Sequence, residues 1–179
     1  MEHTTRRITL TAVDVRRSAT DGDLWEVMEP MHFTGNFYAD GALYERSLAE
    51  FTVFQRMLFA MNWMESEVCN GGFDQFLGNS TGMVWADAYA GFTAIGDRDT
   101  VDILDAVGTW YGGEPAKDRK ARRQRLQQLR ETDAHGLLEE LDSRFYSDEL
   151  LADREEKQRA WVKNNAGQFT FDGEIPSYG

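Results

Sequence analysis

The sequence predicts an all-α fold, a compact single-domain bundle of about six or seven helices with a short N-terminal strand or extended arm. Three observations lead there. Apolar residues recur at steps of three and four over most of the chain, as in Tyr44, Leu48, Phe51, Phe54, Leu58 and Met61. Glycine, proline and capping residues interrupt these runs at helix-length intervals. Strand-like alternation is confined to the N-terminus.

Residues 7–15, RITLTAVDV, place Ile8, Leu10, Ala12 and Asp14 on one side and Thr9, Thr11, Val13 and Val15 on the other. That pattern predicts a strand or extended arm within residues 1–20, ahead of a single helical domain over 21–179. Asp21-Gly22-Asp23 opens a short helix, Leu24 to Glu29, which Pro30 limits. A long helix follows from about Leu43 to Cys69. It is apolar nearly all round between Met57 and Met64, the mark of a central helix.

Trp85, Ala88, Tyr89, Phe92 and Ile95 form the next stripe, ended by Gly96. Asp99 is the expected N-cap of a helix carrying Leu104, Val107, Trp110 and Tyr111, stopped by Gly112-Gly113. Pro115 suits the first turn of a polar, basic helix anchored by Leu126 and Leu129. Leu137, Leu138, Leu141 and Phe145 mark another. Ser147 is placed to cap the last, with Leu150, Leu151, Trp161 and Val162, and the tail is extended and packs Phe169 and Phe171.

The chain of 179 residues carries a net charge of −12, distributed unevenly. Residues 21–111 hold fifteen acids and three bases, residues 112–130 two acids and seven bases, and residues 131–160 ten acids and four bases. Simple repulsion disfavours direct binding to nucleic acid or an anionic membrane. The basic run Lys117–Arg130 has no aromatic residues interleaved to stack on bases, so an intramolecular or inter-subunit acidic partner is the better expectation for it. With one cysteine, no apolar run of membrane-spanning length and no apolar leader, a cytoplasmic location is expected.

No enzyme motif emerges. The chain lacks a glycine-rich phosphate loop, a nucleophile elbow and metal-ligand spacing, and His3, His32 and His135 are scattered. Paired acids such as Asp102/Asp105 and Glu139/Asp142 come without a histidine, and Cys69 reads as an inert buried thiol. The expectation is therefore a non-enzyme with no cofactor and no metal. An acidic surface admits two readings. It keeps a protein soluble, or it imitates DNA: carboxylates one helical turn apart lie roughly 5–6 Å apart along the axis, against about 3.4 Å per phosphate on one DNA strand.

The least ordinary stretch is EVCNGGFDQFLGNSTG, residues 67–82. Gly71-Gly72 suits a sharp corner between helices. Asn70 tolerates the turn, and Glu67 is placed to accept backbone hydrogen bonds across it. Gln75 and Asn79 are placed to satisfy free backbone groups at the helix ends, while Phe73 and Phe76 face Trp63 or Phe59. The corner is either structural or a small-molecule pocket lined by Glu67, Gln75 and Asn79.

Glu67, Asn70, Gly71, Gly72, Phe73, Gln75, Phe76, Asn79, Ser80 and Gly82, followed by WADAYAGFTAIG, resemble the signature of the bacterial DNA-mimic-protein family founded on DNA-mimic protein 19. A looser likeness runs through Tyr44 to Tyr111, the LDSRFY segment and the last helix. The resemblance implies a mainly helical homodimer with an acidic surface that binds a basic protein, such as a transcription factor, in place of DNA. Glu139, Glu140, Asp142, Asp148, Glu149 and Asp153 are the candidate partner-binding residues. An immunity-type inhibitor of a basic toxin or nuclease is the alternative.

Overall fold

The computed structural model describes residues 4–37, 41–131 and 135–177. Nine α-helices among these residues surround one apolar core, and a two-stranded sheet joins the two ends of the chain. The all-α expectation holds. No helix among the described residues is long and apolar enough to cross a membrane.

The N-terminal strand β1 (Thr4–Leu10) pairs antiparallel with the C-terminal strand β2 (Phe171–Ser177), Leu10 opposite Phe171 and Thr4 opposite Ser177. The alternation read over residues 7–15 therefore runs too far. Thr11 accepts from the backbone N–H of Asp14 at 3.3 Å, while the Asp14 carboxylate accepts from Thr11 N at 3.0 Å. This reciprocal cap starts α1 (Ala12–Asp21), which buries Val15 and Ala19 and packs on α9.

Helix α2 (Trp25–Thr34) continues through Pro30 instead of stopping there. A mid-helix proline costs about 3 kcal/mol, and burial of Val27, Met28, Pro30 and Met31 on one side of the helix offsets it. The long helix expected from Leu43 to Cys69 is in fact two. A short α3 (Gly41–Ser47) precedes α4 (Val53–Gly78). Thr52 and Gln55 form the capping box that separates them, with Gln55 N donating to Thr52 Oγ1 at 3.1 Å and Thr52 N to Gln55 Oε1 at 2.9 Å.

α4 is the central helix. It buries Leu58, Phe59, Ala60, Met61, Met64 and Val68 and packs against α2 and against three later helices, α5 (Trp85–Ala94), α7 (Arg119–Glu131) and α8 (His135–Phe145). A 3-10 turn (Ser80–Val84) leads into α5 (Trp85–Ala94). Asp97, rather than Asp99, caps α6 (Arg98–Tyr111), accepting from Thr100 N at 3.1 Å. Asp118, not Pro115, begins α7 (Arg119–Glu131), accepting from Ala121 N at 2.6 Å. Then come α8 (His135–Phe145) and α9 (Asp148–Asn164). Ser147 stands at the start of α9, but its Oγ donates to Arg144 O instead of accepting from the first turn. In the tail Phe169 is buried and stands edge-on to Trp161, with ring centroids 5.2 Å apart.

Candidate functional site: a glycine corner and the acidic groove beside it

The corner occupies the last third of α4. Gly71 is extended (φ −163°), and Gly72 has φ +74° and ψ 177°, a region in practice reserved for glycine. The bare Gly72 backbone also leaves room for a neighbour. A Cβ there would lie 2.9 Å from Asp142 Cγ and nearer still to its Oδ2. In that space Asp142, from α8, accepts the Phe73 backbone N–H at 2.8 Å. The helix that restarts at Phe73 is thus capped by a carboxylate from 69 residues away. Burial pushes the Asp142 carboxyl upward, and the Phe73 N–H opposes that.

Glu67 organises the outer side of the corner. Its Oε2 accepts from Gln75 Nε2 at 3.0 Å and Asn79 Nδ2 at 2.9 Å, and its Oε1 from Thr81 Oγ1 at 2.7 Å. The donors are side chains, not the backbone groups that the sequence suggests. Gln75 and Asn79 accordingly serve Glu67 rather than the helix ends. Phe73 and Phe76 are wholly buried and fill the corner, but their ring partners are Phe145 at 5.1 Å and Trp85 at 6.4 Å, not Trp63 or Phe59. Asn70 is exposed, and so is Cys69, which reverses the buried-thiol reading. Two turns of helix on, Ser80 and Gly82 lie in the 3-10 turn.

Gly82 is required by the basic helix. A Cβ on it would come within 2.6 Å of Phe76 O and 2.8 Å of Arg122 Nε. Arg122 is wholly buried and has only carbonyls for partners. Its nitrogens donate to Leu77 O (2.8 Å), Asn79 O (2.6 Å), Ala116 O (2.7 Å) and Lys117 O (2.7 Å), with Ser80 O at 3.4 Å. Burial lowers its pKa to about 10, still leaving it charged at neutral pH. Arg119 and Arg123 both donate through Nε to Gly78 O, and Arg125 Nε donates to Tyr111 O at 2.7 Å. The basic run therefore closes the carbonyl ends of α4 and α6, where a positive charge meets the negative pole of the helix. Two of its members do pair with acids, Lys117 with Glu45 and Arg130 with Asp74.

A second buried network lies inside α6, α8 and α9, and the sequence does not announce it. Arg154 is wholly buried, stacked 4.1 Å from the Phe145 ring centroid and 5.3 Å from that of Phe92. It pairs with Asp97 at 3.2 Å and donates to Thr100 Oγ1 at 2.8 Å and Phe145 O at 3.2 Å. Glu65 accepts from Gln158 close by. Burial raises the Glu65 pKa to about 7, against the pull of the Arg154 guanidinium. No local signal in the sequence separates these residues from solvated charges on a helix.

Of the six candidate partner-binding acids, Glu140, Glu149 and Asp153 line one groove of about 720 Å³ where α6, α8 and α9 meet, joined there by Asp99. Ser143 and Ser147 supply hydroxyls on the same wall, while Arg144 and Lys157 soften the charge, the latter bridging Asp153 at 2.5 Å. Glu139 and Asp148 are exposed but are not part of this lining, and Asp142 faces Phe73. No group of three or more candidate metal ligands occurs among the described residues.

Comparison with known proteins agrees with this arrangement at the level of the family. The model of the DMP19-like protein family matches residues 49–165, which is 117 of 179 residues. The match spans α4 to α9, including the corner, the acidic groove and the basic helix that the sequence resemblance left aside. No curated protein and no solved structure matches the chain. On its corner, its helical order and this match, the chain belongs to the DMP19-like protein family.

Proposed function

We propose that this protein is a non-catalytic, acidic protein-binding module that takes the place of DNA on the binding face of a basic, DNA-binding partner. The observation that carries the reading is the convergence of Asp99, Glu140, Glu149 and Asp153 on one groove. Glu149 and Asp153 stand four residues apart on α9, hence about 6 Å along its axis, a spacing a phosphate-binding surface can follow. Family membership supports the same reading. The corner supports a scaffold role, because Phe73 and Phe76 occupy its interior and the Glu67 carboxylate already has three donors.

The test begins with affinity capture from the native host's lysate, eluted over a salt gradient, and continues with the isolated partner. A DNA-binding protein that leaves as salt rises and that duplex DNA displaces is the expected result. The variant Glu140→Gln/Glu149→Gln/Asp153→Asn is expected to weaken that complex by at least about tenfold and flatten its salt slope. Unchanged affinity and slope in that variant would remove the groove from the proposal. A captured nuclease whose cutting is blocked would redirect the reading to toxin inhibition.

A further inference from the structure

A second large charged concavity lies along α7, and the acidic groove gives it no role. It encloses about 790 Å³, with Lys117, Arg119, Lys120 and Arg123 on its walls beside Asp118, whose carboxylate accepts from Ala121 N, and with Phe37 and Met83 among its apolar contributors. Two of these cations share one acceptor at the carbonyl end of α4. Arg119 Nε and Arg123 Nε donate to the same oxygen, Gly78 O, at 3.0 and 3.2 Å. The two lone pairs of that carbonyl accept one donor each. The second brings another guanidinium within two hydrogen-bond lengths of the first, against like-charge repulsion.

Both arginines use Nε alone in these bonds, so their Nη edges stay available. Neither they nor Lys120 form an ion pair among the described residues. Lys117 is partly neutralised by Glu45. A pair of oriented guanidinium forks beside an ammonium matches a tetrahedral dianion better than a single carboxylate. Apolar side chains in the lining of a groove this size suit the organic part of a small ligand.

We propose that the α7 groove binds a small phosphate ester, its phosphate met by Arg119, Arg123 and Lys120 and its less polar part resting against Phe37 and Met83. The site shares no lining residue with the acidic groove.

Calorimetric titration of the full chain at low ionic strength tests this with three probes: phenyl phosphate, inorganic phosphate and benzoate. Phenyl phosphate is expected to bind at least about fivefold more tightly than either of the others, because it alone uses both halves of the groove. Arg123→Gln and Lys120→Gln are each expected to weaken it by about tenfold, the loss of one charge-assisted contact. The thermal midpoint should hold in Arg123→Gln, since Arg119 still satisfies Gly78 O. Should that variant unfold, Lys120→Gln carries the test, because the Lys120 side chain makes no hydrogen bond or ion pair among the described residues. Equal affinity for the three probes, absence of binding, or parental affinity in Lys120→Gln would overturn the proposal and leave a diffuse basic surface.

Discussion

Replacing Gly72 with alanine is the most direct trial of the corner. Two costs act together. The backbone at φ +74° and ψ 177° lies where a β-carbon is disfavoured, worth about 1–3 kcal/mol. The new methyl would also fall on the Asp142 carboxylate, whose bond to Phe73 N–H would be lost or lengthened, worth a further 1–2 kcal/mol or so. Together they give a destabilisation of about 3 kcal/mol. Gly71→Ala provides the control. Its φ of −163° suits any residue, and the clash is with the Gln75 side chain, which can swing away at the expense of one bond to Glu67. Urea unfolding followed by circular dichroism measures both, read as a midpoint change at constant slope. The expected order is Gly72→Ala well below Gly71→Ala. If Gly72→Ala cost under about 1 kcal/mol, or less than Gly71→Ala, the argument from positive φ and Asp142 capping would fail.

Three further outcomes follow from the buried polar groups. Glu67→Gln turns an acceptor of three side-chain bonds into a mixed group whose amide N–H faces donors, and thermal unfolding should show a loss of about 1–3 kcal/mol. Arg122→Lys keeps the charge but cannot reach carbonyls on α4 and before α7 at once, so urea titration should show at least about 3 kcal/mol lost. For Glu65, the folded pKa of about 7 lies above the ordinary value of 4.5, so the native state binds the proton more tightly than the unfolded chain does. Its contribution is fully favourable below about pH 4.5 and is lost as pH rises through 7. Glu65→Gln should therefore gain on the parent with rising pH, by on the order of 2–3 kcal/mol between pH 4.5 and pH 8. A parallel pair of stability–pH curves would contradict the burial of that carboxyl.

Apolar periodicity was enough to locate α4, α5, α6 and α8, because each packs a stripe or a whole surface into the core and burial dominates their energetics. It overshot where local chemistry decides. The Thr52–Gln55 capping box splits a run whose hydrophobic pattern continues unbroken, and the Thr11–Asp14 box starts a helix inside strand-like alternation. Both boxes were present in the sequence as capping spacings. The corner was legible as a corner but not in its partners. Gln75 and Asn79 converge on Glu67 only because α4 kinks at Gly71 and Gly72, and Asp142 arrives from another helix. Arg122 and Arg154 were illegible for a related reason. Inside a helix rich in charge, nothing local separates a solvated arginine from one whose acceptors are carbonyls or rings supplied by distant segments.

The placement of charge also bears on how an acidic module keeps a basic segment without cancelling its own surface. Seven bases fall within residues 112–130, yet the carbonyl ends of α4 and α6 absorb four arginines and Glu45 and Asp74 hold two more cations. Helix ends carry only partial negative charge, so these bonds fix the arginines without consuming surface carboxylates. The acids of α8 and the start of α9 consequently remain free of the basic helix, and only Arg144 and Lys157 share their groove. A fold that had paired Arg119, Arg122 and Arg123 with Glu140, Glu149 and Asp153 would be comparably charged overall but would present no negative groove. The same reasoning separates the two grooves experimentally. Glutamines in the acidic groove should leave phenyl phosphate binding at α7 unchanged, and Lys120→Gln should leave the protein partner's affinity within about twofold, because the two grooves share no lining residue and 0.1 M salt screens exposed charges beyond about 10 Å. Strong coupling between them in a double-variant binding cycle would show that the two surfaces act as one site, contrary to the assignment made here.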